Sequence, residues 1–486
     1  MKKITIDPVT RVEGHGKVEI FVDDAGEVAG AYFQVPELRG FEKFCEGRPV
    51  EELPRIVPRI CGVCPGAHHT ASAKAVDAVY GVTPPPTGKR LRELFYMAHF
   101  VHSHIAHFYA MAGAPDFVMG PDADPSERNI LGVTAKLGAA VVGEAIKHRA
   151  MAQEVQAVLG GKATHPVCGV PGGMSKGLSA EERVEIETKA LSTVGFAQFS
   201  LKLFKDLVLG NPYYLEVIKS EPYQLSTYDM GLVDDQGRVA FYDGKVRVTH
   251  PNGAQLLEFA GKEYAAHLEE RVEPWTYLKF PILKKVGWQG VVDGPESGIY
   301  RVGPLARLNV ATGFATPLAQ AEYEEYVKTL GKPVTATLAF HWARLIELLY
   351  AAERMVELSR DPEITGTEIR RLPTTIIGDG VGVVEAPRGT LFHHYRTDKK
   401  GLVTGLNIIV ATTGNYGAIG ASVARAARGL IHGGNVDQGV MNRIEMAMRA
   451  YDPCFGCATH ALPGEMPLAL RVRNLAGDEL ARVVRA

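Results

Sequence analysis

Two Cys-x-x-Cys pairs constrain this chain more than any other feature. Cys61 and Cys64 lie near one end, Cys454 and Cys457 near the other, with about 390 positions between them. Two cysteines three apart can turn both sulfurs toward one ion, and the glycines of Cys-Gly-Val-Cys and Cys-Phe-Gly-Cys let the backbone tighten around it. Two such pairs give a four-thiolate site, a donor set that selects zinc, nickel or iron. A structural zinc site is the bland alternative, but zinc ribbons usually close loops of ~15–20 residues between their pairs. A site closed over this distance joins both ends of the chain at the middle of the fold. A thioredoxin-like redox pair needs a βαβ context that neither motif has.

Patterning predicts a mainly α protein with β-segments (α+β), built on a large helical core. Alternating apolar and polar residues over 4–35, around Asp23-Asp24-Ala25-Gly26, predict a β-hairpin. Helical periodicity from Thr70, a break at Pro84-Pro85-Pro86, and further helical stretches over about 88–112, 126–160 and 179–209 follow. A β-excursion is expected at 228–250. Helices are expected near 252–271, 317–330, 336–359, 417–432 and 436–450, with a buried strand within 402–413. The tail alternates again over 467–485, so β-hairpins are expected near both termini and in the middle.

Composition excludes several function classes. Lys and Arg total 53 against 55 Asp and Glu, so the electrostatic footprint of a nucleic-acid binder is missing. No apolar run reaches the ~18 residues of a membrane span. The N-terminus lacks the apolar core of a signal peptide, which favours the cytoplasm. Six cysteines in 486 residues do not make a disulfide scaffold.

Five ordered motifs carry a resemblance. Arg59-Ile-Cys-Gly-Val-Cys64 with His68 and His69, and Asp452-Pro-Cys-Phe-Gly-Cys457 with His460, resemble the two signature motifs of nickel–iron hydrogenase large subunits. Arg11-Val-Glu-Gly-His15, Arg39-Gly-Phe-Glu42 and Ala386-Pro-Arg-Gly389 resemble three more. The stretch 273–288 and the ending from Ala458 are similar to the cytoplasmic multi-subunit branch, which includes NAD-linked and heterodisulfide-reductase-linked enzymes. The resemblance implies reversible heterolytic cleavage of H2. It also implies a Ni–Fe centre whose iron carries CO and two cyanides. Cys61 and Cys454 would be terminal ligands of nickel, with Cys64 and Cys457 bridging to iron. Glu42, the Ile408 carbonyl and His460 would hold a Mg2+ or Fe2+ ion. Arg388, flanked by Pro387, would lie over the open metal position; Cys454 or Arg388 would take the proton, and Glu13 would relay it.

By the same resemblance His68 hydrogen-bonds a bridging sulfur, Thr412 donates to a cyanide, and Asp452 and Asp116 pair with Arg388. The family also implies a catalytic domain over 1–460 and a C-terminal extension, 461–486, removed by a maturation endopeptidase behind His460 after nickel-insertion proteins have acted. Two cysteines, Cys45 and Cys168, remain, too few for a four-thiolate iron–sulfur cluster. Electrons must therefore leave through an iron–sulfur small subunit, then through further electron-transfer subunits. The histidine-rich stretch His99, His102, His104, His107 does not present one helix face and is read as polar packing. Gly414-x-x-Gly417-x-x-Gly420 lacks dinucleotide-loop spacing. A hydrogen sensor, a structural zinc protein, and the quinone-site relative in respiratory complex I, which lacks the paired cysteines, are the alternatives.

Overall fold

Four helices form the centre of the protein: Pro86–Ala106, Ala139–Gly160, Ala180–Phe204 and Phe340–Arg360. The computed structural model describes residues 2–460, 468–474 and 478–485. Helix Phe340–Arg360 packs against both Ala180–Phe204 and Pro86–Ala106, and Ala139–Gly160 closes the group. Helix Phe340–Arg360 is buried on nearly every face although it carries His341, Arg344, Glu347 and Glu353. Its two buried carboxylates are satisfied internally. Glu347 binds Arg307 through both oxygens (2.5 and 2.6 Å), and Glu353 caps the neighbouring helix Pro317–Leu330 by accepting from the Leu318 and Ala319 amides.

The local signals explain most boundaries. The triple proline separates a helix that stops at Val79 from the next, which opens at Pro86. Ser179 and Glu182 form a reciprocal cap at the start of Ala180–Phe204. The stretch 126–160 is two helices, because Gly138 takes a positive φ of 88° between Leu137 and Ala139. The expected 88–112 and 179–209 helices both end in one wider turn, at His107–Met111 and Lys205–Leu209.

Three antiparallel strands, Lys2–Ile6, Lys17–Val22 and Val28–Gln34, extend the expected N-terminal hairpin by one member. The β-excursion in the middle is present as Tyr228–Val233 and Lys245–Thr249. The helix expected at 252–271 is not. Gln255–Phe259 pairs with Lys245–Thr249, a single helical turn covers Tyr264–His267, and Leu268–Arg271 pairs with Phe280–Leu283. Strand pairing overrides a residue spacing that suits either element.

A second antiparallel sheet, Asp379–Ala386, Gly389–Thr397 and Val403–Ile409, positions the site. Helix Pro65–Val79 lies across it and starts directly after Cys64, a turn earlier than the periodicity from Thr70 suggests. Tail strands Leu468–Arg473 and Glu479–Arg485 pair as a hairpin, while the expected processing point abuts residues outside those described. No helix among the described residues is long and apolar enough to cross a membrane.

Candidate metal centre

Both cysteine pairs sit at helix starts, Cys64 before Pro65–Val79 and Cys454 before the short turn Phe455–Ala458. The tight Cys61–Cys64 turn aims the Val63 and Cys64 amides at Cys61 Sγ (3.2 and 3.1 Å). Across the long gap in sequence, Cys61 Sγ lies 3.1 Å from Cys454 Sγ and Cys64 Sγ lies 3.2 Å from Cys457 Sγ. Cys454 and Cys457 are 2.8 Å apart, and all four sulfurs fall within 4.8 Å of one another. All four residues are buried. Four buried thiols this close cannot all ionise without a cation between them. Burial holds Cys454 and Cys457 well above the ordinary thiol range. At Cys61 burial opposes charge as well, but hydrogen bonds from the other thiols and the Arg388 charge draw it well below. The donor set and its spacing fit a thiolate-bound metal centre.

The N-terminal motif braces the second pair. Glu13 forms a bridge with Cys454, its carbonyl accepts from the Phe455 amide, and its carboxylate accepts from Cys454 Sγ and the Gly456 amide, each at 2.9 Å. Burial raises the Glu13 carboxyl above its usual range, and the Cys61 charge adds to the rise. Glycine at 456 leaves room for both side chains: a Cβ there would lie 2.5 Å from Glu13 Oε1 and 2.9 Å from Arg39 Nη1, so a larger residue would displace them. Arg39 was not singled out from the sequence. Its guanidinium donates to the Ile60, Arg59 and Gly456 carbonyls and so ties the two cysteine segments together. Only the motif Arg39-Gly-Phe-Glu42 hinted at it.

Arg388 stands with Pro387 in the two-residue turn between paired Ala386 and Gly389. Buried Arg307, held by Glu347 and Glu385, donates to the Ala386 and Pro387 carbonyls and fixes that turn. Arg388 Nη2 donates to Asp452 at 2.8 Å and Nη1 to Ser103 at 3.3 Å. Burial opposes its charge, but Asp452 and the Cys454, Cys64 and Cys61 sulfurs hold it protonated. The expected Asp116–Arg388 pair is corrected. Asp116 is buried between Arg449 (2.9 Å) and Arg11 (2.5 Å), because the wider turn at 107–111 ends in a short helix that aims it there.

Thr412 Oγ1 accepts from the Cys454 amide at 2.9 Å. Glu42, Ile408 and His460 come together: Glu42 accepts from the Ile408 amide (2.8 Å), and His460 Nε2 lies 2.6 Å from the Ile408 carbonyl and 3.4 Å from Glu42. His68 does not bond a sulfur. Its Nδ1 meets His393 Nε2 at 3.1 Å, and its Nε2 has no partner among the described residues. The four histidines between Pro86 and Met111 are buried, and the metal-competent cluster of side chains among the described residues is the four cysteines.

Comparison with known proteins agrees with this geometry. A family model described as nickel-dependent hydrogenase matches residues 39–136 and 216–460, and one described as HoxL-like matches 3–38. The chain is 47% identical over 487 residues to an F420-non-reducing hydrogenase iron-sulfur subunit from Archaeoglobus profundus, covering 100% of both. It is 40% identical to the beta subunit of the NAD-reducing hydrogenase HoxS of Cupriavidus necator, covering 99% of this chain and 100% of that one. Among solved structures, an NAD+-reducing [NiFe]-hydrogenase in the H2-reduced state superposes with a TM-score of 0.88 at 38% identity, over 95% of this chain and 100% of that chain. With four convergent buried cysteines and matches along its whole length, this chain belongs to the nickel-dependent hydrogenase family, oxidoreductases acting on H2.

Proposed function

We propose that this chain is the H2-cleaving member of a cytoplasmic multi-subunit hydrogenase. Cys61 and Cys454 would bind nickel, Cys64 and Cys457 would bridge nickel to an iron carrying CO and two cyanides, and Glu42, the Ile408 carbonyl and His460 would hold Mg2+ or Fe2+. The observation that carries this reading is the meeting of four buried sulfurs from opposite ends of the chain beside one fixed guanidinium. When bound, such a centre supplies the Lewis acidity and electron acceptance for heterolytic cleavage of H2.

The chain's own residues orient and move the proton. Arg388, clamped by Asp452 and Ser103, holds a fixed positive charge next to the sulfurs and offsets part of their negative charge. Cys454 Sγ and Glu13 Oε2, 2.9 Å apart, form a direct transfer pair, and the burial that raises the Glu13 carboxyl suits it to hold a proton in transit. The Thr412 hydroxyl accepts from the Cys454 amide, so its hydrogen remains available to a neighbouring acceptor such as a cyanide.

Electrons would pass to an iron–sulfur small subunit, then on to further electron carriers in the complex. Outside the four ligands only Cys45 and Cys168 remain, both buried, and two thiols do not hold a cluster. Nickel-insertion proteins and an endopeptidase acting between His460 and Ala461 would complete the site, dividing the chain into 1–460 and 461–486. Infrared spectroscopy and metal analysis of the purified complex test the proposal. CO and cyanide bands and bound nickel are expected, with iron in excess of nickel because the small subunit's clusters add to it, and the bands and the nickel are lost in Cys454→Ser; zinc in place of nickel, or H2 uptake retained in that variant, would refute it.

A further inference from the structure

Gly414-x-x-Gly417-x-x-Gly420, which lacks dinucleotide-loop spacing, packs closely against the segment 291–302. A Cβ on Gly414 would lie 3.3 Å from Tyr300 Cε2, one on Gly417 2.7 Å from Ile299 Cγ2, and one on Gly420 3.0 Å from Val291 Cγ1. The three glycines let the start of helix Tyr416–Leu430 sit flush on that segment. Asn415 lies inside the contact, 1% exposed. Its Oδ1 accepts from the Val302 amide at 2.8 Å, and its Nδ2 donates to the Arg388 carbonyl at 3.2 Å. A backbone amide only donates and a carbonyl only accepts, so these two partners fix which way the Asn415 amide points.

The turn that carries Arg388 lies directly against this contact. A Cβ on Gly303 would come within 2.8 Å of the Arg388 carbonyl oxygen. Arg307, on the helix Pro304–Val310 that follows, donates to the Ala386 and Pro387 carbonyls at 2.9 and 3.1 Å. The carbonyls of 386, 387 and 388 thus all accept from two buried side chains on other elements. From that base the Arg388 guanidinium reaches Asp452 and Ser103.

We infer that Asn415 is a positioning residue for Arg388: by tying the Arg388 carbonyl to the Val302 amide it sets the root of that side chain, while Asp452 and Ser103 set its tip. An arginine has several rotatable bonds, so contacts at the tip alone leave the backbone beneath it free to shift. Asn415 acts through Arg388. The glycines on either side of it let it come close enough to make both bonds. That the guanidinium serves H2 cleavage rests on the proposed function; the hold on the turn does not.

Asn415→Ser ends one bond short of both partners, and Asn415→Ala offers no side-chain polar atom; neither touches the glycines or Arg388. The first measurement is hydrogen exchange by mass spectrometry on the full-length nickel-free chain. Peptides over 384–391 should exchange about tenfold faster in both variants, the scale of one lost buried hydrogen bond, while helix Phe340–Arg360 keeps its wild-type rate. The second is H2 turnover in the loaded complex. Nickel content and the KM for H2 should stay at wild-type values while kcat falls about tenfold, since a slight misplacement at the reacting centre costs rate and not binding. In an Arg388→Lys background the same variants should cause less than about twofold further loss, because the guanidinium they act on is already gone. A merely structural role would lower both backgrounds equally. Unchanged exchange over 384–391, a wild-type kcat, or equal losses in the two backgrounds overturns the inference. Absence of CO and cyanide bands from the wild-type complex would sink the proposed function and leave the exchange result standing.

Discussion

Replacing Asp452 by Asn removes one charge and little else. Asp452 has a φ of 57°, a left-handed conformation that Asn tolerates nearly as well, so backbone strain does not confound the result. Asp452 is 1% exposed and Arg388 2%. They meet at 2.8 Å. Breaking a buried pair by removing one partner costs about 3–5 kcal/mol. The amide oxygen keeps one hydrogen bond worth about 1 kcal/mol, so a loss of about 2–4 kcal/mol is expected. With an unfolding entropy of about 2.1 cal/mol/K per residue, a chain of 486 residues loses about 1 °C of melting temperature per kcal/mol. Calorimetry of the nickel-free full chain at a fixed scan rate should show a drop of about 2–4 °C on that same scale. The control is Asp122→Asn, which weakens the exposed pair with Arg443 and should shift the melt by less than about 1 °C. In the loaded complex, the loosened Arg388 should lower the turnover number for H2 by about 100-fold, the scale of a misplaced group at a reacting centre. Wild-type melting together with wild-type turnover would refute the claim that this carboxylate positions Arg388.

Glu13→Gln should keep the nickel, the iron and the infrared bands while slowing hydrogen–deuterium exchange by about 100-fold or more, because an amide cannot relay the proton; unchanged exchange would exclude Glu13 from the path. Gly456→Ala places a methyl group on Glu13 and Arg39, so lower activity and lower nickel content are expected, with wild-type values counting against the close approach. Burial pushes the Cys45 and Cys168 thiols up to about 12. Both should therefore resist iodoacetamide in the folded protein at about pH 9, near the ordinary thiol value, as mass spectrometry would read. The sign for stability is also set. A folded value above the unfolded one means the folded state binds more protons, so this contribution is present below about pH 9 and is lost as the pH rises toward about 12. Stability that increases over that range at these sites would contradict their burial.

The ligand set was legible because it is a matter of residue type and short spacing. Cys-x-x-Cys, the proline breaks and the helical periodicities all act within a few residues. The same local signals failed where partners come from elsewhere. Residues 252–271 carry apolar positions that suit a helix, yet Gln255–Phe259 and Leu268–Arg271 pair with strands that local spacing cannot anticipate. Asp116, expected beside Arg388, meets Arg11 and Arg449, 105 and 333 positions away. Arg39 joins carbonyls on both cysteine segments, one of them 417 positions distant.

The sequence by itself determined which atoms can bind metal, since thiolate chemistry belongs to the side chain wherever it lies. Only the tertiary structure decided that Arg388 is clamped at the tip of a two-residue turn, that Glu13 reaches Cys454, and that His68 meets His393. These are facts of direction and distance. In a buried site, hydrogen bonds and charge pairs acting over about 3 Å fix where a proton rests, and distant segments supply them only once the chain has folded.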